Sequence, residues 1–417
     1  MKKVLSLFLV AIMMISLLSV FGCDNGEGTV TTKAGATEAS MPYEDGSASE
    51  EITEPAPVIV RSVTVDNMSE WVKFNGRVYT DTSEKTVHFD WSLSGFEINF
   101  YGTGVKAEIV SSLGASPEKN TMIYAFVDGN ENTDNPIWLN RKAEVITLAE
   151  NLPEGRHTLK VVKRNCVSKA SAGVRSIEIL GSEAATFTEK PAKKDILIEF
   201  IGDSITSGDG VLTPGGQSGW ISVCQDATCS YANHIAKKFN ADVNLVSRCG
   251  GGLIWNSSGL DASSGGIPMP SVYDYACKYN SAEKWDFAGN QPDLIIINLG
   301  TNDRKQIIPS EGTVNAANRK RWMNEYETFL KHVREVNPGV PIICTYGAML
   351  NSTYDLGLEE VVKKVTADGM EDVYYMREPK TSLTGVGGHP AARSHQAIAT
   401  SKYVPFISGI FPDWKKY

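Results

Sequence analysis

The stretch Ile196-Leu197-Ile198-Glu199-Phe200-Ile201-Gly202-Asp203-Ser204-Ile205-Thr206-Ser207-Gly208 decides the fold of the second half of this chain. Its first six residues are almost wholly apolar, the pattern of a parallel strand buried on both faces. The run then breaks into Gly202-Asp203-Ser204, which places a serine at a strand-to-helix turn on the sheet edge. N–H groups of the following helix would lie beside it, so the turn offers a nucleophile and half of an oxyanion hole. In isolation an ordinary helix-capping turn reads equally well.

Similar runs recur at 242–247, 293–299, 340–346 and 372–376. Between them lie helical patterns: Tyr231, Ile235 and Phe239 share one face, as do Trp322, Tyr326, Phe329, Leu330 and Val333. Strands alternating with helices predict an α/β domain, a parallel sheet covered on both sides. Ligands of such folds bind beyond the carboxyl ends of the strands. There the sequence puts Ser247-Arg248-Cys249-Gly250-Gly251-Gly252 after the second strand and Asn298-Leu299-Gly300-Thr301-Asn302-Asp303 after the third. Glycines let backbone approach a ligand closely, and an Asn amide there could donate to an oxyanion. Thr384-Gly385-Val386-Gly387-Gly388-His389-Pro390 follows the last strand, with Pro390 opening a final helix. Of six histidines only His389 falls in such a loop; His88 and His157 belong to the first half, and His234, His332 and His395 lie within helices.

From Trp71 to about Gly181 the period is two. Phe96, Ile98 and Phe100 alternate with polar residues, as do Val105, Ala107 and Ile109, then Leu159 and Val161, then Ile177 and Ile179. Turn signals at Gly102-Thr103-Gly104, Asp128-Gly129-Asn130 and Pro153-Glu154-Gly155 separate these runs. Many short strands without helix predict an all-β sandwich of the jelly-roll kind.

The N-terminus is expected to be a targeting signal. Lys2 and Lys3 precede an apolar run from Val4 to Val20, then Phe21-Gly22-Cys23. A Cys after Gly resembles a bacterial lipobox, in which Cys23 is diacylated and becomes the new N-terminus; an uncleaved membrane anchor is the other reading. Both put the body outside the cell, at the cell surface. Asp24 to Pro57 carries eight acids against one lysine and almost nothing to bury, as a self-repelling disordered tether would. Without that −7 and the +2 of Lys2 and Lys3, the total of −9 leaves −4 for the body, with no basic stripe to suit a nucleic acid. The expected organisation is therefore 1–23 signal, 24–57 linker, 58–188 β-sandwich and 189–417 α/β domain. Six cysteines remain after Cys23; an extracellular address permits disulfides, with Cys224 and Cys229 the most local pair. No Cys-x-x-Cys or clustered Cys/His set suggests a metal.

Taken together, the four strand-end blocks resemble the SGNH (GDSL-type) hydrolases, whose blocks carry Ser, Gly, Asn and His in this order. Ser204, Gly250, Asn302 and His389 match them, although Gly251 or Gly252 could stand in for Gly250. Upstream, Asn75-Gly76-Arg77-Val78-Tyr79, Phe126-Val127-Asp128-Gly129 and Gly155-Arg156-His157-Thr158-Leu159 are similar to the N-terminal domain of carbohydrate esterase family 2. The likeness spans roughly residues 65 to 410. It implies a three-layer, flavodoxin-like SGNH domain behind the sandwich, and a deacetylase of plant-type polysaccharides such as xylan or mannan. It implies Ser204 as nucleophile, His389 as base, and an oxyanion hole from Ser204, Gly250 and Asn302, with no cofactor. Many relatives place an Asp two or three residues before the histidine; here Gly387 and Val386 stand there. Some members work with a Ser-His dyad, and a backbone carbonyl of Gly387 or Gly388 could then hold the imidazole. The alternatives are a non-catalytic glycan-binding lipoprotein and an SGNH esterase of cell-wall O-acetyl groups or lipids. Trp255, beside the glycine block, reads as a sugar-stacking ring or as packing.

Overall fold

The computed structural model describes residues 58–166, 170–212, 222–277 and 283–417. The expected signal, Cys23 and the acidic linker lie outside the described residues. Among the described residues no helix is long and apolar enough to cross a membrane.

Two antiparallel sheets come first. One runs Tyr79–Asp81, Thr86–His88, Ala172–Leu180, Gly104–Ser111, Ala143–Ala149 in spatial order, with Ser62–Thr64 also paired to Ala172–Leu180. The other runs Thr186–Phe187, Gly95–Gly102, Gly155–Lys163, Met122–Val127, Ile137–Trp138, with Lys73–Asn75 also on Gly95–Gly102. The period-two residues do what alternation requires. Phe96, Ile98, Phe100, Val105, Ala107, Ile109, Leu159, Val161, Ile177 and Ile179 are all buried in one cluster between the sheets.

The second half is a five-stranded parallel sheet. In chain order its elements are β1 (Leu197–Gly202), α1 (Tyr231–Phe239), β2 (Asp242–Ser247), β3 (Leu294–Asn298), α2 (Ala316–Val336), β4 (Ile342–Ala348), α3 (Leu358–Ala367), β5 (Val373–Lys380) and α4 (Ala392–Ile398). The strand order is β2-β1-β3-β4-β5, the doubly wound arrangement with a switch point beside β1. Separate cores cover the two faces: Trp322, Tyr326, Phe329, Leu330 and Val333 of α2 on one, and Tyr231, Ile235 and Phe239 of α1 on the other. After α4 the chain passes through a π turn (Ala399–Tyr403) into α5 (Val404–Ile410). Pro405 lacks the N–H that the ordinary ladder would need there.

The halves share cores. Trp91 and Cys166 of the sandwich sit in the α2-side cluster, and Leu93, Tyr124, Phe126 and Val162 in the α1-side one. A buried ion pair, Arg77 Nη2 to Glu199 Oε2 at 2.9 Å, joins the sandwich to β1. The Tyr273 hydroxyl donates to the other oxygen of Glu199 at 2.8 Å. Tyr273, Trp285 and Phe287 also face the Arg77 guanidinium within 5.3 Å.

Three local expectations are corrected. The chain after Ser204 is a run of turns to Gly210, not a helix. Gly208 and Gly210 adopt left-handed φ of +68° and +70°, which a helix cannot continue through. Pro390 does not sit in the first turn of the helix that follows it; α4 starts at Ala392 with Ala391 as its cap. Cys224 and Cys229 carry free thiols, in successive 3₁₀ turns, and the Cys229 thiol hydrogen-bonds with Thr228.

Candidate active site

Register puts the chemistry on one rim. Gly202 of β1 pairs with Ser247 of β2 and Asn298 of β3, so the loops bearing Ser204, Gly250 and Asn302 leave the sheet at the same level. The loop after β5 returns His389 to that rim. Its Nε2 lies 2.8 Å from Ser204 Oγ. Ser204, Gly250, Asn302 and His389 all line one cavity of about 430 Å³. Ser204 is 7% exposed and His389 3%, so the pair meets in a largely desolvated place.

Each loop is held in turn. The Ser204 turn closes through Asp209 N–H to the Ser204 carbonyl (2.9 Å) and Ser207 N–H to the Asp203 carbonyl (3.0 Å). Ser207 Oγ hydrogen-bonds with Ser247 Oγ at the end of β2 (2.8 Å). Cys166, from the sandwich, accepts from the Cys249 N–H (3.1 Å) and Ser207 Oγ (3.7 Å), bracing two loops at once. The Asp303 carboxylate accepts three backbone N–H groups: Leu253 at 2.8 Å, Ile254 at 2.8 Å and Trp255 at 2.9 Å. This fixes the segment just after the glycine block. Trp255 itself is core, 6% exposed with the Arg321 guanidinium 5.1 Å from its ring, and does not line the cavity.

Of the three block glycines only Gly250 lines the cavity, and it has φ +75°. A Cβ there would lie 2.8 Å from Ser257 Oγ. The Gly251 N–H is bonded to the Arg248 carbonyl (2.9 Å). Asn302 Nδ2 donates to the Gly251 carbonyl (2.8 Å) and to Asp203 Oδ2 (3.2 Å), so both its N–H groups are engaged at rest.

The histidine loop closes through Gly385 N–H to the His389 carbonyl (2.8 Å) and Val386 N–H to the Gly210 carbonyl (2.9 Å). Gly210 has no room for a side chain: a Cβ would stand 2.4 Å from the Val386 oxygen and 2.9 Å from His389 Cβ. Burial drives the His389 pKa down to about 4, while hydrogen bonds with the Gly387 and Val386 backbone pull it the other way. Burial likewise pushes Asp203 up to about 7, with the Asp303 charge adding to the rise and the Ile205 N–H opposing it. His395 is fully buried in α4, and its Nδ1 accepts the Tyr231 N–H at 3.1 Å. His157 and His332 are tied to Asp128 and Asp274.

Sequence reasoning passed over Asp209, a carboxylate that lines the cavity, and Asp303, the clamp on the glycine loop. Asp303 ends the Asn302 block and Asp209 directly follows the Ser204 block, between two glycines; an acid in such a place is the signal. Among the described residues Asp81, Glu84 and His88 bring metal-ligand atoms within 4.8 Å of one another on the sandwich, and none of them lines this cavity.

Comparison with known proteins fits this arrangement. The family described as GDSL-like Lipase/Acylhydrolase matches residues 200–375, and the one described as Carbohydrate esterase 2 N-terminal matches 74–186. The chain is 30% identical over 353 residues to Cellulase/esterase CelE of Acetivibrio thermocellus, covering 81% of this chain and 39% of that protein. It thus spans well under half of that relative's length. It is 26% identical over 305 residues to an acetylxylan esterase / glucomannan deacetylase of Cellvibrio japonicus, covering 72% of this chain and 78% of that one. A solved family two carbohydrate esterase from Clostridium thermocellum, in complex with cellohexaose, superposes with a TM-score of 0.71 at 27% identity. The match takes in 82% of this chain and 99% of the other.

Proposed function

Since the chain pairs a carbohydrate esterase 2 N-terminal domain with a GDSL-like acylhydrolase domain, we propose that it removes O-acetyl groups from a polysaccharide through a Ser204–His389 dyad. The observation that carries this is the 2.8 Å contact between His389 Nε2 and Ser204 Oγ inside the cavity. A depressed pKa keeps the imidazole neutral at neutral pH, so Nε2 can take the Ser204 proton as Oγ attacks the ester carbonyl. The carbonyls of Gly387 and Val386 stabilise the imidazolium that forms, the work a carboxylate does in a triad. The oxyanion is received by the N–H groups of Ser204 and Gly250 and by the Asn302 amide. Asn302 would release its longer bond, that to Asp203, to do so. Each such donor lowers the barrier by on the order of 3 kcal/mol. His389 then gives that proton to the sugar oxygen as its bond to the acyl carbon breaks, and later activates the water that frees acetate from Ser204.

Two observations favour a short acyl group on a sugar. Among the described residues Met349 is the one large aliphatic side chain lining the cavity, the rest being small or polar. The relatives' names cite acetylxylan and glucomannan. The sequence also supports export and a lipid anchor at Cys23, which would hold the enzyme at the cell surface beside polymeric substrate. The test is acetate release from acetylated xylan, acetylated mannan and O-acetylated peptidoglycan, with Ser204→Ala as control. Release from either plant polymer that Ser204→Ala abolishes supports the proposal. Release from peptidoglycan alone would redirect it to the cell wall, and no release from any of the three would refute it.

A further inference from the structure

Asp203 ties the turn of the nucleophile to the side-chain donor of the oxyanion hole. It follows Gly202 at the end of β1, directly before Ser204, and is fully buried. Its two oxygens have different partners. Oδ1 accepts the N–H of Ile205, the residue after Ser204, at 2.9 Å, and Oδ2 accepts from Asn302 Nδ2 at 3.2 Å. Asn302 lies just past the end of β3, the strand paired with β1. One carboxyl group therefore spans the two loops whose spacing decides whether Ser204 and Asn302 can meet the same ester carbonyl. The second N–H of Asn302 goes to the Gly251 carbonyl at 2.8 Å, so the amide is held between two acceptors.

The chemistry of these partners decides which end of the Asn302 amide faces them. A backbone carbonyl can only accept, so the Gly251 contact calls for the NH2 end, and the Asp203 contact calls for the same end. Turned over, the amide would set its oxygen against both acceptors and present an oxygen where the oxyanion forms. At position 203 a side chain must accept through both of its terminal atoms, because Ile205 N–H and Asn302 Nδ2 are both donors. A carboxylate does this, whereas an amide of the same shape would point its own NH2 group at one of them. Resting on the reading of Asn302 as an oxyanion donor, we propose that Asp203 is a positioning residue that keeps the NH2 end of Asn302 turned toward the oxyanion site and in register with Ser204. Asp203 does not line the cavity, so its effect passes through Asn302. Its bond is the longer of the two and is given up as the oxyanion forms, by a small turn of an amide that already faces the right way. Donors aimed in advance stabilise a developing charge without reorganising at the moment of reaction.

The experiment is a double-mutant cycle on 4-nitrophenyl acetate with wild type, Asp203→Asn, Asn302→Ala and the double variant. Each rate is divided by the amount of Ser204 that an organophosphonate titrates to completion, which corrects for any misfolded fraction. Asp203→Asn and Asn302→Ala are each expected to lower kcat at least about tenfold with KM changed by less than about threefold. In the Asn302→Ala background Asp203→Asn is expected to cost less than about twofold more, because the group it acts through is already gone. Should Asp203→Asn not fold, Asp203→Ala runs the same cycle, and its loss is expected to shrink at least about fivefold in the Asn302→Ala background. Losses that multiply in the double variant would overturn the proposal, since Asp203 would then serve the Ser204 turn independently of Asn302. An Asp203→Asn variant with wild-type kcat would overturn it as well. An Asn302→Ala variant as active as wild type defeats the reading of Asn302 first, and this inference falls with it.

Discussion

The pH profile offers a quantitative test of the proposed role of His389 as a general base. Burial holds its pKa at about 4, well below the ordinary 6.5. A general base is active when unprotonated, so kcat/KM should rise with pH through about 4 and be flat above about 5.5. At pH 5 about 90% of an imidazole with pKa 4 is neutral, against about 3% of one titrating at 6.5. The two cases therefore differ about thirtyfold at a pH where they are easily told apart. Initial rates on 4-nitrophenyl acetate, at concentrations far below KM and read at a pH-independent wavelength, give kcat/KM from pH 4 to pH 8. Preincubation at each pH followed by assay at pH 7 separates titration from inactivation. A half-maximal point at pH 6 or above would refute the reasoning. It would mean that the imidazole is solvated or backed by a carboxylate, not buried and held by the Gly387 and Val386 backbone.

Asp303→Ala should destabilise the protein by at least about 3 kcal/mol, because three buried N–H groups lose their acceptor at about 1–3 kcal/mol each; urea unfolding measures this, and a shift under 1 kcal/mol would show that the clamp is dispensable. Gly210→Ala puts a methyl 2.4 Å from the Val386 carbonyl at a left-handed φ, displacing the histidine loop. A displacement near 1 Å should lower kcat on the order of a hundredfold, and full activity on an aryl acetate would show that the loop yields without moving the imidazole.

Much of this architecture could be read in advance because its cause is local. Alternation places Phe96, Ile98 and Phe100 on one face whatever lies opposite, and the spacing of Tyr231, Ile235 and Phe239 makes one helix stripe. The meeting of Ser204 with His389 followed from each lying at a strand end of one parallel sheet, since such ends share a rim. What escaped depends on contacts between distant segments. The expected helix after Ser204 fails because Gly208 and Gly210 are pressed against Asp226 and the His389 loop, neighbours that no local pattern announces. Trp255 could have been a platform for sugar until its burial beside Arg321 made it core. Cys166 braces the Ser204 turn and the glycine block although it belongs to the sandwich, 38 residues before the nucleophile. Spacing also could not decide among three consecutive glycines, whereas the Gly251 N–H bond to Arg248 and the position of Gly250 on the cavity wall separate them.

The account stands on a nucleophilic Ser204 activated by His389, and covalent labelling probes that most directly. The full chain is treated with an organophosphonate, and intact mass and peptide mapping are followed over time. One adduct per chain, on Ser204, forming at the rate at which esterase activity disappears and at least a hundredfold more slowly in His389→Ala, is the predicted result. Activity lost without modification of Ser204, or a Ser204→Ala variant that still hydrolyses aryl acetate at the wild-type rate, would contradict it.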